Sequence, residues 1–213
     1  MAPEAPIEQT ENGLAASAEG WFVLNAREAR WWRREGAGAV LPFEGRTDFP
    51  QVGINLSVLG PGEPMAMYHW EADQEDFLVL SGQALLIVEG EERPLAQWDF
   101  VHCPANTSHT IVGAGDGPCA VLAIGTREHQ SGEGWGAYPV DEVALRHGAG
   151  VEQETSRGAE AYARLPEYVP TRYHDGWLSG NEFVEAPELL QREPVEVDDP
   201  LDRAARVVRG VVA

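Results

Sequence analysis

The sequence predicts an all-β fold in which one small barrel forms the centre of a 213-residue chain. From Val52 onward, short apolar and β-branched runs follow one another, and Gly, Pro, Asn and Asp separate them. Many short strands with frequent turns indicate a sandwich or a barrel rather than alternating helices and strands. No internal repeat is present, so the sequence predicts one barrel and not two.

The predicted strands share an apolar or alternating pattern, and a turn separates each from the next. They are Val52–Leu59, Met65–Trp70, Asp76–Leu80, Ala84–Val88, Glu92–Leu95, Phe100–Cys103, Thr110–Val112 and Cys119–Ile124. We therefore place the barrel at residues 50–126.

Two N-terminal segments precede this barrel. Residues 1–20 are rich in Ala, Glu, Pro and Gly and have few large apolar groups, which predicts a flexible arm. Residues 21–49 are an N-terminal extension, in which Asn25 is expected to cap one or two helical turns. The adjacent Trp31 and Trp32 fit either packing on the barrel wall or a subunit contact, since tryptophan is enriched at interfaces.

A long C-terminal extension, residues 127–213, follows the barrel. Its pattern predicts short helices at 141–147, 159–165 and 201–208. The segment is not of low complexity and contains several aromatic residues. We expect it to pack on the barrel exterior or on a partner subunit.

The charge balance argues against several classes of partner. The chain has 35 Asp and Glu residues against 15 Lys and Arg, and all 15 are arginines. Nucleic acids and anionic membrane surfaces attract clustered Lys and Arg, so neither is an expected partner. No secretory signal or membrane-spanning run is found. With only Cys103 and Cys119, a disulfide framework is excluded, and a cytoplasmic protein is expected.

Four residues predict a metal site: His69, Glu71, Glu75 and His109. His69 and Glu71 are two apart on a predicted strand, so their side chains share a face, which we expect to point into the barrel. Glu75 opens the next strand, and His109 begins a strand after a proline turn. An apolar interior cannot hold two carboxylates and two imidazoles without compensation, and a divalent cation would supply it.

These residues resemble the two sequence motifs of the cupin superfamily. The first motif is a glycine, then His-x-His, three or four residues, a glutamate, six residues and a glycine. Its positions in this chain are Gly62, His69, Glu71, Glu75 and Gly82. The second motif places a histidine after a proline turn, as Pro104 and His109 do. The resemblance implies a cupin-type double-stranded β-helix (jelly-roll) barrel that holds a divalent metal, commonly through three histidines and one glutamate.

Three positions depart from the motifs. Glu71 replaces the second histidine, which leaves open whether it is a ligand. The set is then two His with one or two Glu, which favours hard metals such as Fe or Mn over Cu. We expect Fe, Mn, Ni or Zn. Trp98 and Asn106 stand where the second motif has glycines. Asn tolerates positive φ, whereas Trp98 predicts a turn of different shape.

Two functions are compatible with such a site. The first is a metal-dependent enzyme that acts on a small oxygenated molecule by oxygenase- or isomerase-type chemistry. The second is a non-catalytic, sensory module that binds a ligand or a metal. A multiply phosphorylated substrate fits poorly with an acidic chain that has no lysine. The resemblance also implies a homodimer, and fold alone does not choose between the functions.

Overall fold

The computed structural model describes residues 1–129 and 134–178, and the backbone of Val195–Glu196. Its first six strands are β1 (Ile7–Thr10), β2 (Gly13–Ala16), β3 (Trp31–Arg33), β4 (Ala39–Pro42), β5 (Val52–Leu59) and β6 (Trp70–Glu71). The next six are β7 (Glu75–Ser81), β8 (Gln83–Val88), β9 (Glu91–Ala96), β10 (Phe100–Cys103), β11 (His109–Ala114) and β12 (Cys119–Thr126). The last elements are β13 (Gly136–Ala137), α1 (Glu142–Arg146), α2 (Gly158–Ala161), β14 (Val169–Thr171) and β15 (Val195–Glu196).

Two sheets form the walls of the barrel. One sheet has seven strands in the order β10-β7-β12-β5-β4-β3-β14, and the other has the order β11-β8-β9. The pairs that join neighbouring strands within these sheets are antiparallel. Between the sheets lies a core to which both contribute, including Phe77, Val79 and Val121 from one side and Leu86 and Ile111 from the other. The prediction of an all-β jelly-roll barrel is confirmed.

Strand alternation gives the barrel a polar end and an apolar end. In β7 the residues Glu75, Phe77 and Val79 are buried, and the residues between them are partly exposed. Because side chains alternate across a strand, these three share the inner face. Glu75 lies at the beginning of the strand, and the apolar residues follow it. The same alternation in β5 puts Asn55 and Ser57 on the inner face, before Leu59.

The segment predicted as a strand at Met65–Trp70 is mostly not one. It crosses the barrel in an irregular path, held by single bridges that pair Pro64 with Val112 and His69 with His109. Regular pairing is limited to β6, which is antiparallel to β13. Further hydrogen bonds hold the path, from the Met67 N–H to the Tyr162 hydroxyl and from the Tyr68 N–H to the Ala149 carbonyl. The position of His69 therefore depends on β11 and on the C-terminal extension rather than on a regular ladder of its own.

The N-terminal segments differ from their predictions. Instead of a flexible arm, residues 1–20 contain an antiparallel hairpin of β1 and β2. Asn25 does not cap a helix: its side chain accepts from the Arg27 backbone N–H in a single turn. Trp31 then lies in β3, fully buried against β4, β5 and residues of the C-terminal extension. The apolar outer face of the large sheet explains the difference, because these segments cover part of it.

The C-terminal extension contains two of the three predicted helices. Helix α1 begins after Asp141, whose side chain accepts from the Ala144 backbone N–H, and α2 is a single turn at the start of the second predicted segment. The third, at 201–208, lies outside the described residues. Tyr138 and Tyr162 pack with Met67, so this extension contacts the segment that carries His69. Among the described residues, no helix is long and apolar enough to cross a membrane.

Candidate metal centre

The two predicted histidine ligands face each other across an antiparallel bridge. The His69 N–H donates to the His109 carbonyl at 3.1 Å, and the His109 N–H donates to the His69 carbonyl at 2.8 Å. This double hydrogen bond places both side chains on one side of the bridge, with ring centroids 5.1 Å apart. Both residues are buried, with exposed fractions of 3% and 2%.

Glu75 reaches the same point from the opposite sheet. Its Oε2 atom lies 3.0 Å from His109 Nε2 and 3.4 Å from His69 Nε2. One donor atom from each of these three buried residues lies within 4.8 Å of the others, which is the spacing of ligands around one metal ion. The sequence prediction that these three residues meet at one point agrees with this geometry.

Glu71 lies beside this cluster and outside it. Its Oε1 atom is 3.3 Å from His69 Nε2, but no Glu71 oxygen belongs to the group of three mutually close donor atoms. The side chain is nevertheless buried and on the inner face, as its spacing from His69 predicted. The geometry therefore distinguishes a compact set of two His and one Glu from a second carboxylate that lies next to it.

The tautomer of each imidazole is fixed by the backbone. His69 Nδ1 lies 2.7 Å from the Met67 carbonyl, and His109 Nδ1 lies 2.9 Å from the Thr107 carbonyl. A carbonyl oxygen only accepts, so both Nδ1 atoms must carry the proton and donate it. In a neutral imidazole, Nε2 then presents its lone pair to the cluster. Metal-binding histidines in proteins are commonly oriented by this kind of contact.

The four polar atoms at the centre lack hydrogen-bond partners among the described residues. They are His69 Nε2, Glu71 Oε1, Glu75 Oε2 and His109 Nε2, and all are buried. Neutral imidazole lone pairs and carboxylate oxygens repel each other at these distances. Buried polar atoms without partners are costly, so either bound protons or a cation must lie among them. The residues therefore fit a divalent metal ion.

The charges in the cluster shift its pKa values strongly. Burial alone would lower the pKa of His69, but the carboxylates of Glu71 and Glu75 outweigh it and raise that pKa to about 9. Burial and the nearby Glu75 carboxylate raise the pKa of Glu71 above its usual range. Burial alone would raise the pKa of Glu75, but its contacts with the His109 and His69 imidazoles outweigh burial and lower that pKa. Without a metal, protons are therefore held within the cluster up to alkaline pH.

A cavity next to the cluster has a polar wall that the sequence analysis did not single out. It is lined by the three clustered residues and also by Asn55 and Ser57 of β5. The alternation of β5 was a usable signal, since it puts both residues on the same face as Leu59. Tyr138 was also missed as a site residue. Its ring lies 5.8 Å from that of His69, but it comes from outside both motifs, and no sequence pattern linked it to them.

The two non-glycine residues of the second motif keep glycine-like backbone. Asn106 has a φ of 68°, as its tolerance of this region predicted, and Trp98 has a φ of 76°. The expected change of shape at Trp98 is therefore wrong, because the turn retains the left-handed conformation with a bulky residue in it. The Asn106 N–H donates to the Glu71 carbonyl at 2.6 Å, so this loop is hydrogen-bonded to the strand next to the candidate ligands.

A second group, Asp73, Glu128 and His129, has donor atoms close enough for a metal but a different environment. The Asp73 carboxylate already accepts from the backbone N–H of His129 and contacts its Nδ1 atom at 2.8 Å. Glu128 and His129 are exposed. These contacts satisfy the Asp73 carboxylate, so the group anchors a surface loop.

The match to one family model agrees with this fold, and several solved structures are similar to part of the chain. Residues 55–125 match the sequence model of the family described as "Cupin domain". A comparison with curated proteins found no match. One similar structure is a provisionally named sugar phosphate isomerase from Acidithiobacillus ferrooxidans, with 31% identity over 43% of this chain and 61% of that one, at a TM-score of 0.39.

Two further structures extend this comparison. A cupin-superfamily sugar phosphate isomerase from Silicibacter pomeroyi shares 28% identity over 48% of this chain and 62% of that one, with a TM-score of 0.38. A predicted oxalate decarboxylase from Thermotoga maritima shares 21% identity over 36% of this chain and 67% of that one, with a TM-score of 0.34. The chain spans about three fifths of the length of each of the two isomerases.

Proposed function

Because residues 55–125 are a cupin domain, we propose that the protein binds a divalent metal through His69, Glu75 and His109 and is an enzyme for a small oxygenated molecule. The observation that carries the metal site is the set of buried Nε2 and carboxylate oxygen atoms that meet without hydrogen-bond partners. Two imidazoles and one carboxylate on one side of a metal form a facial set that leaves positions for a substrate.

Each residue of the cluster has a role that follows from its contacts. His69 and His109 would bind through Nε2, because their Nδ1 atoms donate to the Met67 and Thr107 carbonyls. Glu75 would supply the anionic ligand. A bound divalent metal supplies Lewis acidity or, if it is redox-active, chemistry with dioxygen.

Glu71 would then hold or accept a proton next to the substrate. Its raised pKa suits a general acid or base, since such groups work best when their pKa is near the operating pH. Within this proposal, the Glu75 carboxylate favours Fe or Mn over Cu, and Ni or Zn would also be accepted by the two imidazoles. An oxygenase and an isomerase both use these roles.

Elemental analysis of the purified protein tests the metal site. We expect close to one equivalent of a divalent metal in the wild type and little in His69→Ala or His109→Ala. His102→Ala is the matched control, because His102 is exposed on β10 and contacts Asp76 away from the cluster. Equal metal content in all four proteins would contradict the assignment, as would a wild type that binds no metal when it is supplied.

The alternative, a non-catalytic module that binds a metal or a ligand, is favoured by one observation. The three clustered residues and the neighbouring Glu71 are each less than a tenth exposed, so solvent access to them is narrow. The cavity beside the cluster, with Asn55 and Ser57 on its wall, favours an enzymatic function, because a purely structural metal would need no such space. Turnover of any small substrate that is lost in His69→Ala and kept in His102→Ala would decide for catalysis.

A further inference from the structure

Three aligned rows of inward-facing residues form the wall next to Glu75. In the first row, Gly125 pairs with both Glu75 and Gly53. Neither glycine carries a side chain, so this row leaves room directly beside the carboxylate. On the side of β5 and β12, the wall beside the carboxylate is therefore formed by backbone atoms in this row.

The second and third rows each add one polar side chain to the wall of that space. Ala123 pairs with Phe77 on one side and Asn55 on the other, and Val121 pairs with Ser57. Asn55 is 7% exposed and Ser57 is 3% exposed, and both line the cavity that contains the metal cluster. An amide and a hydroxyl each donate and accept hydrogen bonds, so they match the hydroxyl and carbonyl groups of a small molecule.

Apart from the proposed metal, the cavity offers no arginine or lysine side chain for a phosphate. No arginine is among its lining residues in the described part of the chain, and the sequence contains no lysine. The ionisable residues that line it are Glu75, His69 and His109, and the two imidazoles are neutral when they bind a metal. Phosphate groups in proteins are usually held by Arg, Lys or several backbone N–H groups, and a buried phosphate without such partners is strongly disfavoured.

On this basis we propose that Asn55 and Ser57 are the specificity-determining residues of the site and that its substrate is a small phosphate-free compound. Two adjacent oxygen atoms of the substrate, as in an α-hydroxy acid or an α-hydroxy ketone, bind at the metal. Its remaining hydroxyl or carbonyl groups bind the Asn55 amide and the Ser57 hydroxyl. This inference rests on the proposed function, since it needs a metal at His69, Glu75 and His109.

The test is calorimetric titration of the metal-loaded protein with matched pairs of probes. The pairs are D-glycerate with 3-phosphoglycerate, and dihydroxyacetone with dihydroxyacetone phosphate. Within each pair the chelating end is the same, and only the far end differs by a phosphate. We expect millimolar or tighter binding of at least one phosphate-free probe, and binding of its phosphorylated partner that is at least about tenfold weaker.

Variants of the polar wall complete the test. Asn55→Leu and Ser57→Ala should each weaken the binding of the phosphate-free probe about tenfold, the effect of one lost hydrogen bond, with unchanged metal content. Ser81→Ala is the control, because Ser81 is a buried serine of β7 that does not line the cavity. Its binding of the probe should equal that of the wild type.

Several outcomes would overturn the inference. They are equal or tighter binding of the phosphorylated probes, wild-type affinity in both wall variants, and no binding of any probe by protein that is full of metal. Failure of the proposed function is distinguishable from these, because it would appear first as a protein that takes up no metal. Metal content is therefore measured on every sample before titration.

Discussion

His109 Nε2 lies 3.0 Å from Glu75 Oε2, and His109 Nδ1 is held by the Thr107 carbonyl. Because Nδ1 already carries a proton, a second proton on this imidazole must bind at Nε2. A metal ion would bind at the same atom. Protons and metal therefore compete for the same place between the ring and the carboxylate. This competition would make metal binding at the cluster depend on pH.

The stability of the metal-free protein should fall as pH rises from about 6.5 to about 9. The pKa of His69 is raised to about 9 in the folded protein and is about 6.5 when unfolded. Protonated His69 therefore stabilises the folded protein fully at pH values below its unfolded pKa. This contribution, on the order of 3 kcal/mol, is lost as the pH rises through its folded pKa. Chemical denaturation at several pH values after chelation measures it.

The opposite dependence is expected with metal. Each imidazole proton that a metal displaces makes the apparent metal affinity rise about tenfold per pH unit over the same interval. His69→Ala is the control for the metal-free protein, since it removes one titrating group and should make the dependence on pH shallower; His109, whose pKa is also raised, keeps its own contribution. Metal-free stability that rises between pH 6.5 and 9 would refute this account of the cluster.

Glu71 and Glu75 should differ sharply in their effect on metal binding. Glu75 touches both imidazoles and belongs to the compact set of donors, whereas Glu71 lies beside it. We expect Glu75→Gln to lower metal affinity more than about 100-fold and Glu71→Gln only about tenfold, as for a residue next to the ligands. Competition with a coloured chelator measures both. Equal losses in the two isosteric variants would make Glu71 a ligand.

The sequence was sufficient to predict the barrel and the meeting of His69, Glu75 and His109, because motif spacing and strand alternation depend on local pattern. It was insufficient for the segment after Asn25, where helical turns were predicted and Trp31 lies in a buried strand that contacts distant parts of the chain. Tyr138 was missed for the same reason, since it lies close to His69 only in the folded chain. Long-range packing of this kind leaves no local signature.

Replacing Trp98 by glycine should stabilise the protein by about 0.5–1 kcal/mol. A non-glycine residue in the left-handed region costs roughly 1–2 kcal/mol, and the extra freedom of an unfolded glycine offsets part of the gain. Trp98 is 67% exposed, so little packing is lost. Asn106→Gly is the control and should change stability less, because asparagine tolerates this conformation. The free energy of unfolding measured in urea checks both, and a destabilised Trp98→Gly would contradict the explanation.

The homodimer that the cupin resemblance implies should form through the outer face of β10 and β7. Phe100 is 64% exposed there and pairs with Leu78, and Ile124 of the adjacent β12 is also exposed. Edge strands with apolar residues are rarely left open to solvent, so we expect a second copy to cover this face. Sedimentation at micromolar concentration should show a dimer for the wild type and a monomer for Phe100→Glu. Val169→Glu is the control, because Val169 is an exposed apolar residue on β14 at the opposite edge of the same sheet. A monomeric wild type, or a dimer that survives Phe100→Glu, would exclude this face as the contact.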